Sequence, residues 1–205
     1  MVFFRRFRRG ELRLTRVEAF SDGVFAIVVT LLVLELKVPL LGDPHGKGAL
    51  LEGLRELIPK FVSWLLSFII VCKFWLNHNR LLDDARHADY ALVWLNSLFL
   101  LGQAFIPFPT ALLGEYPSNP LAVAVFGCVM AVNTLLFIAL QAYIARNLLK
   151  PELVEGRDPR AALRAFVGPL SYLAGAAAGW FYTPAGFAFY IVTPLFYIVP
   201  PDSRG

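Results

Sequence analysis

Apolar residues are grouped along this chain in long, nearly unbroken blocks, not in the alternating or half-and-half patterns of a water-soluble fold. The best-marked blocks are Leu57 to Leu76, Tyr90 to Leu113 and Leu121 to Ile144. At about 1.5 Å of rise per residue, each is long enough as a helix to cross a hydrocarbon core of roughly 30 Å. A further block runs from about Arg16 to Val38. Its mostly apolar stretch, Gly23 to Leu34, is preceded by Arg16, Glu18, Ser21 and Asp22. Two shorter blocks, Ala165 to Phe181 and Pro184 to Val199, are separated only by Tyr182 and Thr183, which predicts a tight helical hairpin. The pattern predicts an all-α integral membrane protein with six transmembrane helices. A basic tail over 1–15 precedes a single six-helix domain over 16–200, and a short segment over 201–205 follows.

Composition narrows the function classes. Of 205 residues, 58% are hydrophobic and only 17% charged, and the loops left between six spans are too short to fold as a separate catalytic domain. The net charge of +4 is too small an excess to argue for a nucleic-acid partner. Cys72 and Cys128 sit inside apolar blocks with no ligand at metal spacing, so neither a disulfide nor a bound metal is expected.

The placement of the charges is more informative than their sum. With the N-terminus inside, 14 basic residues fall on the cytoplasmic side and 4 on the other, while Lys73 lies within a span. This bias puts both termini of a multi-pass cell-membrane protein in the cytoplasm. The arginine-rich start also resembles a secretory signal peptide, but acidic residues interrupt the approach to the apolar run and no small-x-small cleavage site follows it. The two halves show no self-similarity of the inverted-repeat kind, so a central pathway requires several chains.

On an ideal helix, Ile27, Leu31 and Leu34 lie within about 40° of one another, with Gly23, Phe20 and Arg16 continuing their stripe, and Asp22 lies about 140° away. Spacing alone does not distinguish this stripe from the leucines of any spanning helix. A carboxylate near the inner end of a span must face protein or water, and internal pairing is the plainer reading.

The order of residues says more. Arg16-Val-Glu-Ala-Phe20-Ser21-Asp22 forms an RxxxFSD string that continues as Gly-Val-Phe-Ala-Ile27-Val-Val-Thr30-Leu31-Leu-Val-Leu34-Glu35. It closely resembles the first helix of bacterial members of the transmembrane protein 175 family, the endosomal and lysosomal potassium channels. Phe74-Trp75-Leu-Asn77-His78 is similar to the aromatic pair and histidine after that family's second helix, although Asn79 stands where a second histidine is common. The resemblance implies a homotetramer of six-helix chains around one pore. It contains no TVGYG-type filter, and none occurs here. Ile27, Leu31 and Leu34 match the family's hydrophobic constriction, and Thr30 the threonine beside it. Arg16, Ser21, Asp22 and His78 match its polar network. Potassium is then the permeant ion, the partners are further copies of the chain and membrane lipids, and no cofactor is implied.

Other features have plainer readings. Glu35 at the outer mouth could concentrate cations as a charged ring, against an ordinary interfacial residue paired with Lys37. Gly175-Ala-Ala-Ala-Gly179 lets helices approach closely, by default within one protomer. Pro107, Pro109, Pro169 and Pro194 are expected to kink their helices. Tyr90, Trp94 and Tyr197 read as interfacial anchors. Two rival functions remain. One is a proton-coupled secondary transporter using Asp22 and His78. The other is a metal-dependent membrane hydrolase with Asp83 and His87 four apart on a helix.

Overall fold

The computed structural model describes residues 13–43, 45–153 and 161–198, and within them the chain is helical. Helix α1 (Leu14–Leu31) tightens into a 3-10 turn over Leu32–Glu35, and α2 (Lys47–Glu56) is a short helix outside the spans. Then come α3 (Ile58–Asp83), α4 (Tyr90–Phe105), α5 (Pro107–Glu115) and α6 (Pro120–Tyr143), which ends in a π turn over Ile144–Leu148. Beyond it lie α7 (Ala161–Ala165), α8 (Val167–Phe181) and α9 (Thr183–Ile198).

The interruptions have a common cause. Leu57, Ile106 and Phe166 each interrupt the regular helix while keeping right-handed helical backbone angles, and prolines 59, 107, 109 and 169 follow within three residues. A proline has no N–H, so it deletes a rung of the hydrogen-bond ladder without ending the rod. α4 and α5 therefore form one interrupted span. Pro194 is the exception, lying inside α9 without interrupting it. Two of the helices that start afresh are capped by side chains, whereas α1 and α2 begin without a side-chain cap. Asp89 accepts from the Leu92 N–H at 2.8 Å ahead of α4, and Asn119 accepts from the Leu121 N–H at 2.9 Å ahead of α6, which then begins with Pro120.

Four helical stretches are long and apolar enough to cross a membrane: Leu14–Glu35, Ile58–Asp83, Tyr90–Glu115 and Pro120–Leu148. The chain is thus an all-helical, multi-pass membrane protein. α8 and α9, with 15 and 16 residues, reach only about 22–24 Å at the helical rise and form the tight hairpin that the sequence predicts.

α1 packs on α3 and α4, α4 packs on α6, and α6 makes its broadest contact with the α8–α9 hairpin. Lipid is as apolar as leucine, so this packing depends on close approach more than on water exclusion. Glycines provide it. A Cβ on Gly175 would meet the Tyr190 ring, and one on Gly179 would strike Val123 of α6 and crowd Gly186 of α9. The GxxxG pattern therefore works inside the protomer.

At the end of the bundle where α1 begins, the α3–α4 connection is tied to the end of α6. Ala85 and Leu149 form a β-bridge, and the Arg86 and Lys150 amides donate to the Leu148 and Asp84 carbonyls at 2.8 and 3.0 Å. Tyr143 donates to Asp89 at 2.5 Å, and the Lys150 ammonium donates to the Asp83 carbonyl. Because α3 stops at Asp83, His87 lies in this irregular connection, and the helical four-residue spacing proposed for a metal pair does not exist. No group of three or more candidate metal ligands occurs among the described residues. Tyr90 and Trp94 are exposed near this end with their rings 6.1 Å apart, whereas the side chain of Tyr197 lies outside the described residues. The tail over 1–12 and the segment over 201–205 lie outside them as well.

Candidate functional site

The first helix has two opposed faces. Val17, Ser21, Phe25, Val28 and Leu32, spaced by three or four residues, are buried against α3 and α4. On the other side Phe20, Ile27, Leu31 and Leu34 are exposed, the last three at 59, 43 and 65%. Gly23 lies on this outward stripe, and a Cβ placed there meets nothing within 4 Å. Arg16 is exposed and makes no ion pair with any described residue.

Thr30 is exposed beside the stripe, and its hydroxyl donates to the carbonyls of Ala26 and Ile27 at 3.0 and 2.9 Å. The hydroxyl hydrogen is therefore turned back onto the helix. What remains for an outside partner is oxygen lone-pair density, the part of a hydroxyl that a cation binds.

The buried face is held by a short polar chain. Ser21 donates to the Val17 carbonyl at 2.8 Å and accepts from the Asn96 amide nitrogen at 3.0 Å. The Asn96 carbonyl oxygen lies 2.6 Å from His78 Nε2, which must carry the proton, since an amide oxygen only accepts. One hydrogen-bonded string thus crosses α1, α4 and α3. His78 is fully buried, stacked on Phe99 with ring centroids 5.5 Å apart and flanked by Phe25 at the same distance. Its Nδ1 has no hydrogen-bond partner.

Asp22 is placed differently from Ser21. It is exposed at the edge of the α1–α3 joint and accepts from the Trp75 indole N–H at 2.9 Å. With its side-chain amide turned over, Asn79 also reaches Asp22, donating at 3.3 Å and accepting from Trp75 at 3.1 Å. Asp22 and His78 share no hydrogen bond in this arrangement.

Of the residues singled out in the sequence, the structure therefore brings Ser21 and His78 together, sets Asp22 beside Trp75, and leaves Arg16 apart. The linking residue, Asn96, escaped the sequence reading. Its signal was available, because an amide in the middle of the apolar run from Tyr90 to Leu113 must find a partner.

At the opposite end of the bundle, Glu35 is half-buried and lines a cavity of about 240 Å³ with Lys60, Thr110, Glu115 and Tyr116. Lys60 pairs with Glu115 at 2.6 Å. Glu35 makes no ion pair with Lys37.

Comparison with known proteins places this geometry. The family described as endosomal/lysosomal potassium channel TMEM175 matches residues 16–107, the stretch that holds both faces of α1, His78 and Asn96. A potassium channel of Streptomyces collinus is 37% identical over 163 residues, covering 77% of this chain and 78% of that protein. A human protein named endosomal/lysosomal proton channel TMEM175 is 34% identical over 110 residues, which span 51% of this chain but only 22% of its own. The crystal structure of a lysosomal potassium-selective channel TMEM175 homologue from Chamaesiphon minutus superposes with a TM-score of 0.79 at 31% identity, over 91% of this chain and 96% of that one. The chain belongs to the TMEM175 family.

Proposed function

We propose that this chain is a potassium-permeable cation channel of the cell membrane, formed by four copies whose first helices surround a common pore. Each copy contributes six membrane helices, the α8–α9 hairpin supplying the last two. Both termini lie in the cytoplasm. The observation that carries this reading is the opposition of the two faces of α1. One face is tied down by the Ser21–Asn96–His78 string, and the other leaves Ile27, Leu31, Leu34 and the outward Thr30 oxygen exposed among the described residues.

Around an axis, four such faces make a constriction of aliphatic rings. Aliphatic side chains offer no replacement for the water shell of an ion, so a narrow ring dries and closes the path. Opening requires the first helices to tilt or rotate until a partly hydrated cation passes, with the Thr30 oxygens replacing part of the lost water. Dehydration costs less for potassium than for the smaller sodium ion, so the sense of selectivity follows from the same physics. Glu35 would add a ring of negative charge at the outer mouth and raise the local cation concentration. Asp22 and His78, with no hydrogen bond between them, act as anchors rather than as a proton-coupling pair.

The test is flux through the reconstituted chain. Vesicles loaded with potassium should lose their gradient passively, without a coupled ion. Ile27→Asn or Leu31→Asn puts four amides into one ring and should raise resting leak at least several-fold. Wild-type leak in both variants, with assembly intact, would overturn the constriction.

A further inference from the structure

We propose that α2 is an interfacial helix, seated with its apolar side in the lipid headgroup layer and holding the far end of α1 to the bilayer surface. This goes beyond the channel reading, since it rests only on the chain being membrane-embedded.

At ten residues, α2 is too short to cross a bilayer, and it buries no residue against the rest of the protein. Leu50, Leu51 and Leu54 are nevertheless all exposed. On a helical wheel they occupy an arc of about 100°, with Glu52 and Glu56 opposite, Arg55 at the flank of the arc, and Lys47 of the first turn within it, where a long aliphatic stem can lie along lipid while its ammonium stays at the headgroups. Glu52 and Arg55 pair across one turn at 3.6 Å. This is the two-sided character of a surface-lying helix.

Two further observations identify lipid as the occupant. First, α2 runs into α3 through the single residue Leu57, whose backbone stays helical, so the two helices share a register. In that register the leucine arc of α2 lines up with Ile58, Phe61, Val62 and Leu65, the exposed residues of a membrane-crossing helix. One apolar strip therefore passes from the span onto α2 without a break. Pro59 has removed a ladder rung at the joint, where a bend toward the strip would lay the same leucines down onto the bilayer. Second, the connector that returns from α1 is locked to α2. A Cβ on Gly53 would come within 2.7 Å of Pro39, so the 36–41 segment lies directly against the helix. Val38 and Leu40 in that segment are themselves 84 and 102% exposed, extending the apolar patch. Both ends of the connector are fixed to spans at one membrane face, which leaves α2 no route away from the headgroup layer.

The experiment uses the full chain in phosphatidylcholine–phosphatidylglycerol vesicles, with Cys72→Ala and Cys128→Ala removing the native thiols. A nitroxide is attached through Leu51→Cys, Leu54→Cys or Glu52→Cys in turn, and its collisions with oxygen, which partitions into lipid, and with a water-soluble nickel chelate are compared. At positions 51 and 54 oxygen should exceed the chelate several-fold, and at 52 the order should reverse. Free access of the chelate to all three positions would show a helix in water. Poor access of both reagents to 51 and 54 would show them covered by protein, a second copy included. Either result overturns the proposal and leaves the potassium-flux test of the pore unaffected.

Discussion

Asn96 is the residue on which the candidate site turns, because its two ends reach different helices. Its amide nitrogen serves Ser21 of α1 and its oxygen serves His78 of α3. Replacing it with leucine removes both bonds and leaves two buried polar groups with fewer partners, at about 1–3 kcal/mol for each group stranded. Asn96→Leu should therefore lower the thermal midpoint of the detergent-solubilised protein by several degrees, and an unchanged melting curve would count against the string as an anchor. Thr30 makes the contrasting case. Its hydroxyl is exposed and bonds only to its own helix, so Thr30→Val should leave the melting curve nearly unmoved. If the outward oxygen serves the permeant ion, the same variant reduces the potassium-to-sodium preference a few-fold in vesicle flux. Asp22 stood out in the sequence as a carboxylate beside an apolar run, whereas Ser21 and His78 stood out only through the family resemblance. Their division into an interior pair and an exposed carboxylate was hidden there, since it depends on which neighbouring helix each one faces. Arg16 was legible as part of the outward stripe from the wheel alone, and it is found exposed on that side.

Among the helices, local chemistry fixed some features and tertiary packing fixed the others. The ladder breaks at Leu57, Ile106 and Phe166 and the starts of α4 and α6 follow from prolines and capping side chains within a few residues, so these were legible. The end of α3 was not. Its stop at Asp83 accompanies the pairing of Ala85 with Leu149, a contact between segments far apart in sequence, and that pairing undoes the Asp83–His87 spacing. The GxxxG segment was legible as a close-packing signal, but its partners Val123, Tyr190 and Gly186 were not. Those partners set the prediction for this element. Gly179→Leu forces a branched side chain into Val123 and the α9 backbone, where overpacking costs about 1–3 kcal/mol or more. Loss of folded protein, or a clearly lowered melting point, is expected. Gly23→Ala offers the matched control, with nothing within 4 Å of the new methyl. A helix interior gains up to about 1 kcal/mol from such a change, so its stability should hold or rise.

For the whole molecule the question is what covers the outward face of α1. Exposure of Ile27, Leu31 and Leu34 by itself suits lipid as well as a pore, because aliphatic side chains rest comfortably against either. Adjacent residues separate the two. Leu31 points outward while Leu32, one position on, is fully buried against the protomer. In a channel lined by α1, Leu31→Cys places four thiols in the water path, so a charged, water-soluble thiol reagent should abolish potassium flux through reconstituted Cys72→Ala, Cys128→Ala protein. Leu32→Cys, buried among the same helices, should conduct and remain insensitive. A lipid-facing stripe gives a different result, because a charged reagent does not enter hydrocarbon and both variants would then resist modification. Block at position 32 but not at 31 would mean that the helix is turned the other way and the aliphatic rings are not the valve. If four copies surround the pore as proposed, the assembly multiplies the effect: one substitution then adds four bulky charges to one narrow ring, whereas at the periphery the same four charges never meet.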